Sequence, residues 1–172
     1  MHISLPAASL PQADTTPEFC KAVILKISTH LFALPTTAIV KIVSAASVSQ
    51  SHHSITLWEN TPLLLLDLHQ LLGVAPPQLE NPTAEGKDLK SYLVITRTSS
   101  FDRCAITVDE LPIFENIPLS KVQALSPYHY RLMGSIAKHR VILPYKGVSS
   151  TILLLDLQHA LYRWQMMKHS IS

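Results

Sequence analysis

The sequence predicts a mainly β protein made of two similar small lobes, and three observations lead there. Short apolar runs recur along the chain, separated by Pro, Ser, Thr and Asn, which is the punctuation of strands and turns. One stretch, 62–72 (PLLLLDLHQLL), returns at 151–161 (TILLLDLQHAL), with Asp67 and Asp156 89 residues apart. Finally, twelve prolines and only four glycines suit short strands with stiff connections rather than a phosphate-cradling loop.

The repeat is the organising unit. Four leucines ending in an acid read as a strand buried on both faces. Asp67 then suits a helix N-cap, because its carboxylate can accept from the free amides of the following turn. Asp156 stands in the same place in the second copy. Chance likeness of two leucine-rich strands competes with duplication, and the Asp-Leu match at one offset favours duplication.

Residues 1–17 are rich in Pro, Ala, Ser and Thr, without periodicity, and predict a flexible tail. The first strand is 19–28 (FCKAVILKIS), followed by 31–34, a Pro-Thr-Thr turn, and a β-branched third strand at 38–44 (AIVKIVS). Residues 47–54 (SVSQSHHS) predict a polar loop and 55–58 a short strand. Glu59-Asn60-Thr61-Pro62 predicts a turn, where Asn60 takes a positive φ at little cost. The 62–72 unit, ended by Gly73, closes the first half. A proline-bearing linker covers about 74–89.

The second half opens with strands at 91–97 and 101–109, joined across Thr98-Ser99-Ser100. A kinked strand is predicted at 110–117, a helical turn within 118–125, and a Tyr-rich loop at 127–134. A last hairpin uses 135–143 and 150–155. From Asp156 a helix carries Leu157, Ala160, Leu161, Trp164 and Met167 on one stripe. The division expected is a single domain over 18–168: lobe one about 18–73, lobe two about 90–156, and the helix 156–168. Each half, at roughly 70 residues, buries too little surface alone, so the two small barrels should share a core.

Composition bounds the function. An apolar fraction of 47% with 15% charged residues describes a folded chain. A net charge of +2 is too weak for a nucleic-acid footprint. Apolar runs stop well short of the ~20 residues of a membrane span, so no direct membrane insertion is expected. The first residues lack a basic region before an apolar core, so no signal peptide is expected either. Cys20 and Cys104 lie in apolar strand contexts, which favours buried free thiols in a reducing compartment, by default the cytoplasm.

No motif supports chemistry. Asp109-Glu110 is an acidic pair, but neighbours on a strand point to opposite faces, so a solvated strand end is preferred to an acid–base dyad. Nine histidines, among them His52, His53, His129 and His139, show no Cys-x-x-Cys, His-x-x-x-His or His-Glu-x-x-His spacing, so no metal site is expected. Nucleophile-elbow and phosphate-loop motifs are missing, so neither catalytic residues nor a cofactor are expected. Tyr128-His129-Tyr130-Arg131 alone resembles a single-strand binder, and a loop covering the core edge explains it better. A protein-interaction module remains, with apolar strands such as 38–43 as partner surface.

The residues then show a resemblance. Phe32-Ala33-Leu34-Pro35 stands before Ile39-Val40-Lys41-Ile42-Val43, and Trp58 before Leu64-Leu65-Leu66-Asp67-Leu68. In the second half come Ala105-Ile106-Thr107-Val108-Asp109-Glu110-Leu111, Gly134, and Leu153-Leu154-Leu155-Asp156. In this order the chain, from about Phe19 to Leu161, is similar to the CheW-like family of chemotaxis coupling proteins and kinase regulatory domains. The resemblance implies two five-stranded, SH3-like β-barrels around a common core, with short helices and a C-terminal helix. It implies no catalysis and no cofactor. It also implies a non-enzymatic adaptor of two-component signal transduction, with two partners: the regulatory domain of a CheA-type histidine kinase and the cytoplasmic tip of a methyl-accepting chemoreceptor. The Trp58 motif most resembles cyanobacterial members, which serve motility or phototaxis. The alternative is a diverged adaptor without receptor binding, serving another signalling or pilus-regulation complex.

Three departures from the family pattern bear on the receptor-facing surface more than on the fold. Glu59-Asn60 replaces the usual Arg-Gly, Lys41 stands where an acid is common, and the interval 134–156 is longer, implying an extended loop around Tyr145-Lys146-Gly147. Two independent drifts explain the exchanged signs as well as a swapped pair does; on the swapped-pair reading, Lys41 and Glu59 are expected within salt-bridge reach on one exposed face, with Ile39 beside them. The partner-binding set is therefore Ile39, Lys41, Ile42, Trp58, Glu59 and Asn60, and the structural set Asp67, Asp156 and Gly134.

Overall fold

A computed structural model describes residues 18–47, 49–51, 55–75, 91–98 and 103–169. The tail 1–17, most of the linker, His52-His53 and Ser99-Ser100 lie outside the described residues. The first half supplies β1 (Phe19–Ile27), β2 (His30–Pro35), β3 (Ile39–Ser44), β4 (Ser49–Ser51), β5 (Ile55–Trp58), β6 (Thr61–Leu66) and α1 (Leu68–Leu72). The second supplies β7 (Tyr92–Arg97), β8 (Arg103–Val108), β9 (Ile113–Pro118), β10 (Gln123–Ala124), α2 (Pro127–Leu132), β11 (Ala137–Tyr145), β12 (Val148–Leu155) and α3 (Leu157–His169). The protein is mainly β, in two small lobes.

Each lobe is a curled six-stranded sheet, in the orders β10-β11-β12-β2-β1-β9 and β4-β5-β6-β8-β7-β3. The repeated strands β6 and β12 occupy the same place in the two orders. Each pairs antiparallel with its hairpin partner and parallel with a strand of the other half, β6 with β8 and β12 with β2. The short edge strands β4 and β10 bring each sheet to six rather than five, and β4 falls inside the stretch expected to be loop.

The lobes do not follow the halves of the chain. Hairpin β1–β2 sits in the sheet of β9–β12, and hairpin β7–β8 in the sheet of β3–β6. The expected boundaries, 18–73 and 90–156, therefore give way to an exchange of hairpins. The cause is burial: β2 and β12 are apolar on both faces, and such strands remove most area from water at the centre of a sheet. Neither half completes a sheet alone.

Alternate side chains on the repeated strands serve two cores. Leu66 of β6 and Leu153 and Leu155 of β12 join Val23, Leu25 and Phe32, Val94 and Ile106, and Trp164 of α3 in one cluster between the sheets. Leu63 packs inside its own sheet with Leu93, Ile95 and Ala105, and Ile152 inside the other with Ile24 and Val141. On α3, Leu157, Ala160, Leu161 and Trp164 are buried and Met167 is half-buried. Both cysteines are free, Cys104 buried and Cys20 half-buried.

Local chemistry sets the element ends. Asp67 Oδ1 accepts from the Gln70 amide at 3.1 Å, and Asp156 Oδ1 from the His159 amide at 3.0 Å, so both repeat helices start on an acid cap. Gly73, at φ 67°, ends α1 in the left-handed conformation. The stretch 127–134, expected as a loop, forms α2: Ser126 caps it through the His129 amide and Pro127 occupies the first turn, where its missing N–H costs nothing. Gly134, at φ 58°, follows it. The extended loop expected around Tyr145 is instead a two-residue turn, Lys146-Gly147, because the extra residues lengthen β11 and β12.

Candidate partner-binding surface

The surface is built where edge strand β3 meets the β5–β6 hairpin. Glu59 and Asn60 form its two-residue turn with φ of 49° and 60°, the twist that right-handed hairpins require. Trp58, half-buried, packs inward on the cluster of Leu63 and Leu93. A register shift between Ile39 and Lys41 puts a bulge in β3. Without it Ile39 and Lys41 would share a face; with it Ile39 and Ile42 turn together toward the inter-sheet core. Lys41 is left facing the hairpin. Its Nζ lies 3.5 Å from Glu59 Oε1 and 5.4 Å from the Trp58 ring centroid. The two charged side chains are 53% and 64% exposed, so the contact belongs to the class of surface pairs worth ~0–1 kcal/mol. Of the predicted set, Lys41, Trp58, Glu59 and Asn60 come together, while Ile39 and Ile42 lie behind them against the core.

The other sheet carries a counterpart. Glu110, on the approach to edge strand β9, bonds both Lys26 and Lys146, the latter on the β11–β12 turn. Hydrogen bonds from Lys146 and then Lys26 hold the Glu110 carboxyl below its ordinary value, and the Glu110 contact raises Lys146. Lys146 Nζ lies 5.5 Å from the Tyr145 ring centroid, and burial pushes the Tyr145 hydroxyl up, with the Glu110 charge adding to it.

Asp109 is no solvated strand end. Its carboxylate accepts from the Ser28 amide, its own amide donates to the Lys26 carbonyl at 3.0 Å, and its Oδ1 stands 2.9 Å from Nε2 of buried His69 on α1. His69 Nε2 makes no hydrogen bond there despite the short distance, so the last contact is a close approach rather than a well-formed hydrogen bond. Asp109 thus joins β8, the β1–β2 turn and α1 across the lobes. The sequence favours a solvated strand end over a dyad at Asp109-Glu110, because nothing local signals a partner 81 residues away.

The profile of the CheW-like domain matches residues 21–163. The chain belongs to the CheW-like family. Among solved structures it is similar to scaffolding protein TtCheW from Thermoanaerobacter tengcongensis, with a TM-score of 0.62 at 14% identity over 85% of this chain and 90% of that one. No curated protein sequence matches it. At that identity the structural likeness speaks for the fold, and the family profile speaks for the rest.

CheW-like proteins are non-enzymatic scaffolds of chemotaxis-type signalling, and their typical partners are CheA kinases and chemoreceptors. This CheW-like chain is a coupling adaptor of that general type. Among the described residues no helix is long and apolar enough to cross a membrane. Two apolar residues that sequence reasoning missed, Ile55 and Leu57 of β5, are 42% and 41% exposed beside Pro62 on the outer side of the hairpin. Alternation along β5 puts the two on one face opposite Thr56, but nothing in the sequence marks that apolar face as the outer one.

Proposed function

We propose that the protein couples the cytoplasmic tip of a methyl-accepting chemoreceptor to the regulatory domain of a CheA-type histidine kinase, in the cytoplasm, within a motility or phototaxis system. The adaptor brings no chemistry; it holds two partners at fixed distance, so its rigid double-sheet frame is the working part. The receptor meets Lys41, Glu59 and Asn60, with Trp58 holding Lys41 in place and Ile39 and Ile42 supporting the strand from behind. The observation that carries this reading is the Lys41–Glu59 contact at 3.5 Å on an exposed face. Its polarity is the reverse of the one the family resemblance implies, and an exposed pair of this kind adds only ~0–1 kcal/mol of stability, which leaves its charges available for recognition. Charges on a rim choose partners, because like-charge juxtaposition rejects wrong ones.

Co-sedimentation tests it. Receptor-bearing membranes, the kinase and this protein should pellet together, with kinase in the pellet only when the protein is added. Pelleting of kinase to the same extent without it would contradict the coupling role.

A further inference from the structure

We infer that a cavity between α2 and the β2–β12 face binds a small organic carboxylate with a short apolar chain, a site separate from the receptor-facing surface. The cavity has a volume of about 460 Å³, within the ~300–1,000 Å³ range of small-molecule sites. Its polar lining includes Arg140, His30, His129 and Thr151, and among the described residues no acid lines it. Leu125, Met133 and Leu153 give it an apolar wall.

A β-bulge makes the site. The register of β11 against β12 shifts between Ala137 and His139. In unbroken register Arg140 would oppose Ile152 and point into its own sheet's core. The bulge sets it opposite Leu153, on the face toward α2. Half-buried Arg140 makes no ion pair among the described residues, and its Nε is shielded from water without a hydrogen-bond partner. His30 Nδ1, in the same lining, is also shielded and unpartnered.

Buried donors are almost always satisfied, and a half-buried cation without a counterion is costly. A carboxylate in the cavity answers both, by a charge-assisted bond to the guanidinium and a bond to the His30 ring once the side chains turn toward it. The apolar wall then selects for a chain behind the carboxylate rather than for a bare inorganic anion.

Calorimetric titration of the full chain with sodium acetate, butyrate and hexanoate, and with sodium phosphate, tests this. Saturable binding is expected, tightening from acetate to hexanoate. Arg140→Gln should weaken hexanoate by about tenfold or more, the effect of losing a charge-assisted bond. Because Arg140→Gln can disturb packing, His129→Glu on exposed α2 is the second variant. It places a competing carboxylate at the cavity and should weaken hexanoate without lowering the melting temperature. No saturable binding, unchanged affinity in both variants, or phosphate binding as tightly as hexanoate would overturn the inference.

Discussion

The two hairpin tips, β5–β6 and β11–β12, are built alike and set in different surroundings. Each is a two-residue turn with both φ positive, Glu59-Asn60 in one and Lys146-Gly147 in the other. An aromatic residue precedes each turn, Trp58 and Tyr145, with a lysine Nζ 5.4 or 5.5 Å from the ring centroid. The tip residue pairs with an opposite charge on or before the edge strand of its own sheet, and the polarity is mirrored. The tip acid Glu59 meets Lys41 of β3, and the tip base Lys146 meets Glu110 ahead of β9. Surroundings separate them. Glu110 is held by two lysines beside nearly buried Tyr145, next to the residue that ties the lobes together. Among the described residues Lys41 and Glu59 pair with each other alone, with Lys41 also over the Trp58 ring, and both side chains are more than half exposed. One tip fastens the fold, and the other is free to meet a partner.

The largest expected effect lies at the fastened side. Asp109→Ala strips the acceptor from the Ser28 amide and the partner from His69, and should cost about 2 kcal/mol, the scale of a buried polar group left unpaired. Chemical denaturation measures it, and a loss no greater than that of any Lys41 variant would break the comparison. Next comes Glu110→Gln, expected to cost about 1 kcal/mol at neutral pH, discounted for partial exposure. Because its folded pKa is lowered, the stabilisation from Glu110 is present above the ordinary value of 4.5 and is lost as pH falls through the lower folded value. The gap between wild type and variant should therefore close in that acid window. A gap that widened there would reverse the assignment.

The repeat helices sharpen the comparison at a similar scale. Asp67→Ala and Asp156→Ala should each cost about 1 kcal/mol, since each removes one N-terminal acceptor. A denaturation midpoint unchanged in both would count against capping. Smallest of all is Lys41→Met, within about 0.5 kcal/mol for an exposed pair. A larger destabilisation would make the free tip as structural as its counterpart.

What the sequence showed and hid follows the reach of each interaction. The strand runs, the two acid caps and Gly73 were legible because their signals span a few residues. Ser126-Pro127 carries the local chemistry of a helix start, a cap followed by a first-turn proline, under a Tyr-rich stretch that resembles a loop. The exchange of hairpins was not legible, since β2 chooses β12 across more than a hundred residues by burial alone. At the candidate site, the meeting of Lys41 with Glu59 was anticipated from the reversed family pattern. The bulge that turns Ile39 away from them was not, because a single unpaired residue leaves no mark on periodicity. The role of Asp109 was hidden for the same reason as the exchange: its partners lie on other elements.

The central claim is that the free tip selects the receptor. The direct measurement is the affinity of a receptor-tip fragment for the wild-type chain and for the double variant Lys41→Glu with Glu59→Arg, alongside kinase affinity and melting temperature. The account predicts weakened receptor binding with kinase affinity and melting temperature unchanged. Receptor binding equal to wild type in the double variant would contradict it.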